Sequence, residues 1–137
     1  MVICVLLVLV LAYVSWLCFF SRNMPQLAEV VLRTPLTHNA FIYGVKDDGG
    51  GATVPFSYRY YVYRSLPADS DILSELKTAT PFLITRDESI TVNVQGETVT
   101  VVVDKEVYDY HSNTLYRPAN GDEYTPVVIY LRSSPGN

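Results

Sequence analysis

The residues that could do chemistry in this chain are few. Asp109-Tyr110-His111-Ser112 sets an acid, a base and a hydroxyl side by side. Neighbouring residues on a strand point to opposite faces, so this run cannot by itself form a nucleophile–base–acid relay. No G-x-S-x-G is present, and both cysteines, Cys4 and Cys18, lie in the apolar amino-terminal stretch. The only imidazoles are His38 and His111, without the spacing that places two histidines on one helix face. Asp69-x-Asp71 resembles the start of a calcium loop but lacks its glycine and distal glutamate, so helix capping accounts for both carboxylates. Gly49-Gly50-Gly51 has no phosphate-loop lysine and reads as a turn tip, and Asp87-Glu88 and Asp122-Glu123 read as solvated turn charges. No catalytic, cofactor or metal site is expected, and the chain does not read as an enzyme.

The residues that could recognise a partner are more prominent. In Tyr58-Arg59-Tyr60-Tyr61-Val62-Tyr63-Arg64, alternation sends Phe56, Tyr58, Tyr60 and Val62 to one face and Arg59, Tyr61 and Tyr63 to the other. With the first face in the core, the second presents tyrosine and arginine outward, the types enriched at binding hot spots. The competing reading is cross-strand aromatic packing. Tyr108, Tyr110, Tyr116 and Tyr124 extend the candidate surface. The partner-binding set is therefore Arg59, Tyr61, Tyr63, Tyr108, Tyr110 and Tyr116.

These residues need a scaffold, and the pattern supplies one. Met1 to Phe20 carries no charge and only Ser15 is not apolar. A helix of about 20 residues matches the roughly 30 Å hydrocarbon core of a bilayer. No Lys or Arg precedes Arg22, the run exceeds a signal-peptide core, and Ser15-Trp16-Leu17-Cys18-Phe19-Phe20 lacks the small residues of a cleavage site. Leu17 is too large for a lipidation signal at Cys18. Tyr13, Trp16, Phe19 and Phe20 fit an interfacial belt, so residues 1–21 read as an uncleaved transmembrane anchor. Arg22 and Arg33 favour a cytoplasmic domain by the positive-inside tendency, whereas the composition of the body favours the opposite side.

Every charge lies after the anchor: ten Lys plus Arg against fourteen Asp plus Glu, a net −4. An acidic balance disfavours nucleic acid and anionic lipid as partners. The body has no cysteine and no Asn-x-Ser/Thr sequon, a composition that suits a bacterial envelope protein. Residues 22–36 read as a connector, with two helical turns over Gln26–Arg33 stopped by Pro35. Residues 37–137 read as the β-rich domain. Strands are expected over Phe41–Val45, Thr53–Ser65, Phe82–Thr85, Ile90–Val94, Thr98–Val103, Val107–Tyr110 and Val127–Leu131. Asp71–Ala79 is the one short helix, Asn113–Thr125 a loop, and Ser133–Asn137 a frayed tail. The fold class is mainly β: an antiparallel sandwich or curled sheet of about seven strands with one short helix, after a single transmembrane helix. The inward set is Ile42, Phe56, Tyr58, Tyr60, Val62, Leu73, Leu76, Phe82, Ile84, Ile90, Val92, Val94, Val99, Val101, Val103, Val107, Val128 and Tyr130.

One amino-terminal span, a cysteine-free acidic β domain and no enzyme motif resemble the small envelope-anchored immunity proteins of bacterial contact-dependent and type VI secretion toxin systems. The run Val107-Tyr108-Asp109-Tyr110-His111-Ser112-Asn113, with the valine hairpin before it, is similar to small membrane-anchored enterobacterial proteins. The resemblance implies a single-pass inner-membrane protein whose periplasmic domain blocks a toxin by direct binding. It assigns no role to any residue. The alternative is a structural or assembly subunit of a larger membrane complex, with Cys4, Ser15 and Cys18 letting another helix approach.

Overall fold

The computed structural model describes residues 1–22, 26–37, 40–49, 56–117 and 123–133. The glycine tip at Gly50-Gly51, His38, Asp122 and the tail at 134–137 lie outside the described residues. Among the described residues there are two helices and nine strands. Helix α1 spans Val2–Arg22, and its 18-residue window Val2–Phe19 has mean hydropathy 2.8 with none of it buried. It is long and apolar enough to cross a membrane, and its full exposure sets it apart from a core helix.

The strands are β1 (Leu27–Thr37), β2 (Ala40–Asp47), β3 (Ser57–Arg64), β4 (Leu83–Thr85), β5 (Thr91–Gln95), β6 (Thr98–Val103), β7 (Val107–Tyr110), β8 (Asn113–Tyr116) and β9 (Thr125–Ser133), and helix α2 (Asp69–Leu76) lies between β3 and β4. They form a five-stranded sheet, β1-β2-β3-β4-β7, and a four-stranded sheet, β5-β6-β9-β8. We call these the large and the small sheet. All pairs are antiparallel except β6 with β9. The mainly β expectation is met as two sheets, with one parallel pair inside a sandwich expected to be wholly antiparallel.

Two apolar clusters hold the domain. The larger lies between the sheets and includes Ile42, Tyr60, Val62, Phe82, Val99, Val101, Tyr116, Val127 and Ile129. The second lies on the opposite face of the large sheet, where Ile72 and Leu76 of α2 cover Tyr43, Val45 and Tyr61. The large sheet is therefore buried on both faces, so β3 carries three consecutive buried residues, Tyr60, Tyr61 and Val62. Gly44 stands in register between Leu32 and Tyr60. A Cβ there would lie 2.5 Å from Tyr60 Cε1 and 2.9 Å from Leu32 Cβ, so only glycine lets that ring lie across the sheet.

Several expectations are corrected. The segment Gln26–Arg33 is not helical: Leu27 to Thr37 is the edge strand of the large sheet. Its apolar residues suit either period, and the β-branched pair Val30-Val31 favours the strand. Pro35 does not end the element, because an edge strand has no second neighbour to need its missing N–H. Asn113–Tyr116 forms β8 where a loop was expected. Helix α2 begins at Asp69, its N-cap is Ala68, and no side chain bonds the first turn. Asp69 and Asp71 favour that end through the helix dipole alone. In β9 the inward residues are Val127 and Ile129, while Val128 and Tyr130 face outward, and Phe56 is also exposed. Every residue from Val127 to Leu131 is apolar, so alternation alone could not choose the face. The β5–β6 turn is as expected: Gly96, at φ 62°, holds the first central position of a type II′ connection.

Candidate functional site

The partner-binding set is scattered by the fold. Arg59 Nε donates to Asp47 Oδ2 at 2.8 Å, and the Asp47 carboxylate also accepts from the backbone N–H of Gln26 and Gly49. That buried aspartate thus holds the start of β1, the end of β2 and β3 together. Tyr61 is fully buried beneath α2, and among the described residues its hydroxyl makes no hydrogen bond of normal geometry. Burial pushes its pKa up, opposed by the nearby Arg59 guanidinium. Tyr63 is half-buried, and its hydroxyl donates to Glu75 Oε2 of α2 at 2.8 Å. Burial and that carboxylate both raise its pKa. The face expected to present Arg59, Tyr61 and Tyr63 outward is therefore the seat of α2, a correction that alternation could not supply because it does not say what covers a face.

The other three tyrosines divide likewise. The Tyr110 hydroxyl donates to the carbonyl of Ile129 and so ties the large sheet to the small one. Tyr116 is buried in the inter-sheet cluster. Only Tyr108 of the six is a well-exposed aromatic, at 46%.

The acid–base run is half assembled. Asp109 and His111 are two apart on one face, and His111 Nε2 lies 3.2 Å from Asp109 Oδ2 with both side chains about half exposed. Ser112 does not join them; its hydroxyl meets Asn113 Nδ2 at 3.4 Å. The pair has no nucleophile beside it among the described residues. Nor do three or more His, Cys, Asp or Glu side chains gather as metal ligands among those residues. Asp87 is not a solvated turn charge. It is 1% exposed, and its carboxylate accepts from the backbone N–H of Ser89 and of Asp104 at 2.7 Å, while its carbonyl accepts the Tyr60 hydroxyl at 2.8 Å. It clamps the β4–β5 loop to the β6–β7 loop and to β3, and serves the fold.

Two features missed in the sequence remain open to solvent. The first is the outer face of the small sheet. Register aligns Thr98, Thr100 and Val102 of β6 with Val128, Tyr130 and Arg132 of β9, and Asn113 and Leu115 of β8 with Val128 and Pro126. Leu115 and Tyr130 are 60% and 57% exposed there, with Tyr124 close by in sequence at 63%. No element covers this face among the described residues. The second is a groove of about 700 Å³ between the sheets at one end of the sandwich. Val62 and Phe82 line it from the large sheet, Asn113 to Leu115 from β8, and Tyr63, His111 and Tyr124 complete it. The signal for β8 was present in the sequence: Thr114-Leu115-Tyr116 is rich in strand formers. No protein-family model, curated protein or solved structure matches the chain.

Proposed function

We propose that the chain is a membrane-anchored binding protein, most specifically an immunity protein that neutralises a bacterial toxin by direct contact. In this reading α1 sits in the inner membrane and the β domain faces the periplasm. The observation that carries the binding role is the uncovered outer face of the small sheet, where Leu115, Val128 and Tyr130 stay in solvent although the other sheet is covered on both sides. Exposed tyrosine and leucine near the exposed Arg132 have the make-up of a protein-contact surface. Four residues join Arg22 to Leu27, so the start of β1 stays within about 18 Å of the end of α1.

Co-expression with the product of the adjacent gene tests the toxin reading. The expected result is growth rescue and a purified complex, both lost on Leu115→Ser with Tyr130→Ser while the domain stays folded. A neighbouring product that is harmless alone and forms no complex overturns it. An assembly subunit is the second reading, favoured by the fully exposed apolar surface of α1. It predicts a larger native complex in mild detergent and no rescue.

A further inference from the structure

We propose that the open edge of β8, with the groove beside it, takes up an extended peptide segment of the partner as an added strand. The inference rests on the binding role argued above and names the form in which the partner is recognised.

The ladder fixes which way the main chain of β8 points. Ile129 donates its N–H to the carbonyl of Ser112 at 2.8 Å, and the register places Thr114 opposite Val127 and Tyr116 opposite Thr125. Hydrogen-bonded pairs recur at every second residue of an antiparallel ladder. Ser112, Thr114 and Tyr116 therefore bond β9, and the N–H and C=O of Asn113 and Leu115 point away from it. Among the described residues, no backbone group bonds to these outward groups. Such an edge is a template for another strand.

The two edges of the large sheet are less suited to one, and no residue of β5, the other edge of the small sheet, lines the groove. β1 carries three register irregularities and Pro35, the features that blunt an edge. In β7, Asp109 Oδ1 already accepts the N–H of Tyr110. The edge of β8, by contrast, runs along a groove. A peptide strand added there would place alternate side chains toward Val62, Pro81 and Phe82, with the Tyr63 and Tyr124 rings alongside. Among the described residues no Lys, Arg, Asp or Glu lines the groove, so a charged side chain would meet no such counter-charge there. An apolar or aromatic side chain suits it. A helix would bring no free main-chain groups to Asn113 and Leu115, whereas an extended segment satisfies both the edge and the groove. The groove lies where β3 ends and β4 begins, at the end of the large sheet where β1 finishes, opposite the tether to α1.

The test uses the full-length protein in phosphatidylcholine nanodiscs and four fluorescent, lysine-flanked peptides in which threonine alternates with Val, Leu, Phe or Tyr. Fluorescence anisotropy should give saturable binding of at least one peptide below about 1 mM. N-methylation of its edge-facing amides should weaken binding at least about tenfold. Leu115→Pro should do the same and still fold, because that N–H lies outside the ladder. Thr80→Trp, which fills the groove and leaves the edge intact, should also cost about tenfold, and it decides the matter if Leu115→Pro does not fold. Absence of binding by all four peptides overturns the proposal, as does equal binding of the N-methylated peptide or unchanged binding by Thr80→Trp. Peptide binding without toxin rescue would overturn the toxin reading alone; rescue without peptide binding would overturn the strand-addition site alone.

Discussion

The large sheet is closed on both faces, and the small sheet on one. Tyr60 and Tyr61 of β3 are both fully buried, one against the small sheet and the other beneath α2. Tyr130 of β9 lies in the other sheet and is 57% exposed. The same residue type thus does two jobs. In the large sheet tyrosine is buried volume, its hydroxyl tethered at Tyr60 but not at Tyr61; in the small sheet it is contact area offered to solvent. Richness in tyrosine marks a binding surface only where nothing else in the chain covers it.

That contrast can be broken by substitution, and the largest effect is expected in the large sheet. Tyr61→Ala empties a site beneath Ile72 and Leu76 and should cost about 3–5 kcal/mol in chemical denaturation. A loss below about 1 kcal/mol would mean that α2 does not close that face.

Removing only the hydroxyls separates the two neighbours. Tyr60→Phe leaves the buried carbonyl of Asp87 without its donor and should destabilise by about 1–2 kcal/mol. Tyr61→Phe deletes a buried hydroxyl that makes no hydrogen bond of normal geometry among the described residues and should be neutral or slightly stabilising.

Titration sharpens the same point. Burial raises the pKa of both Tyr60 and Tyr61 above the ordinary tyrosine value of 10.0. A raised value favours the neutral phenol in the folded state, so the stabilisation is fully present below about pH 10. It is lost as pH rises through the folded-state values. The thermal midpoint should stay level from pH 7 to 9 and fall above about pH 10, with a smaller fall in Tyr61→Phe.

The smallest stability effect belongs to the small sheet. Leu115→Ser and Tyr130→Ser should each change stability by no more than about 0.5 kcal/mol while weakening partner capture. A larger loss would show that this face is covered.

Much of the scaffold was legible because local signals agreed. The uncharged run of α1, the Gln95-Gly96-Glu97 turn and the limits of β6 at Thr98 and Val103 follow from composition, a positive φ and alternation. The candidate surface was not legible, for a physical reason. Alternation in β3 separates two faces but does not reveal that α2 folds back over one of them, and only then does Tyr61 become core. β9 is apolar at five consecutive positions, so its register depended on the inter-sheet packing of Val127 and Ile129. The role of β8 as an edge depended on β6 pairing with β9 across a long stretch of sequence, which no local pattern encodes.

Amide hydrogen exchange resolved by residue tests the central claim most directly, because it reads which main-chain groups are closed. Along Tyr58 to Tyr60 of β3, which is paired on both sides, the amides should all exchange slowly. In β8 they should alternate: slow at Thr114 and Tyr116, fast at Asn113 and Leu115, with Leu115 slowing when a peptide binds. Uniform protection along β8 in the free protein would contradict the account, for the edge and the groove beside it would then already be occupied.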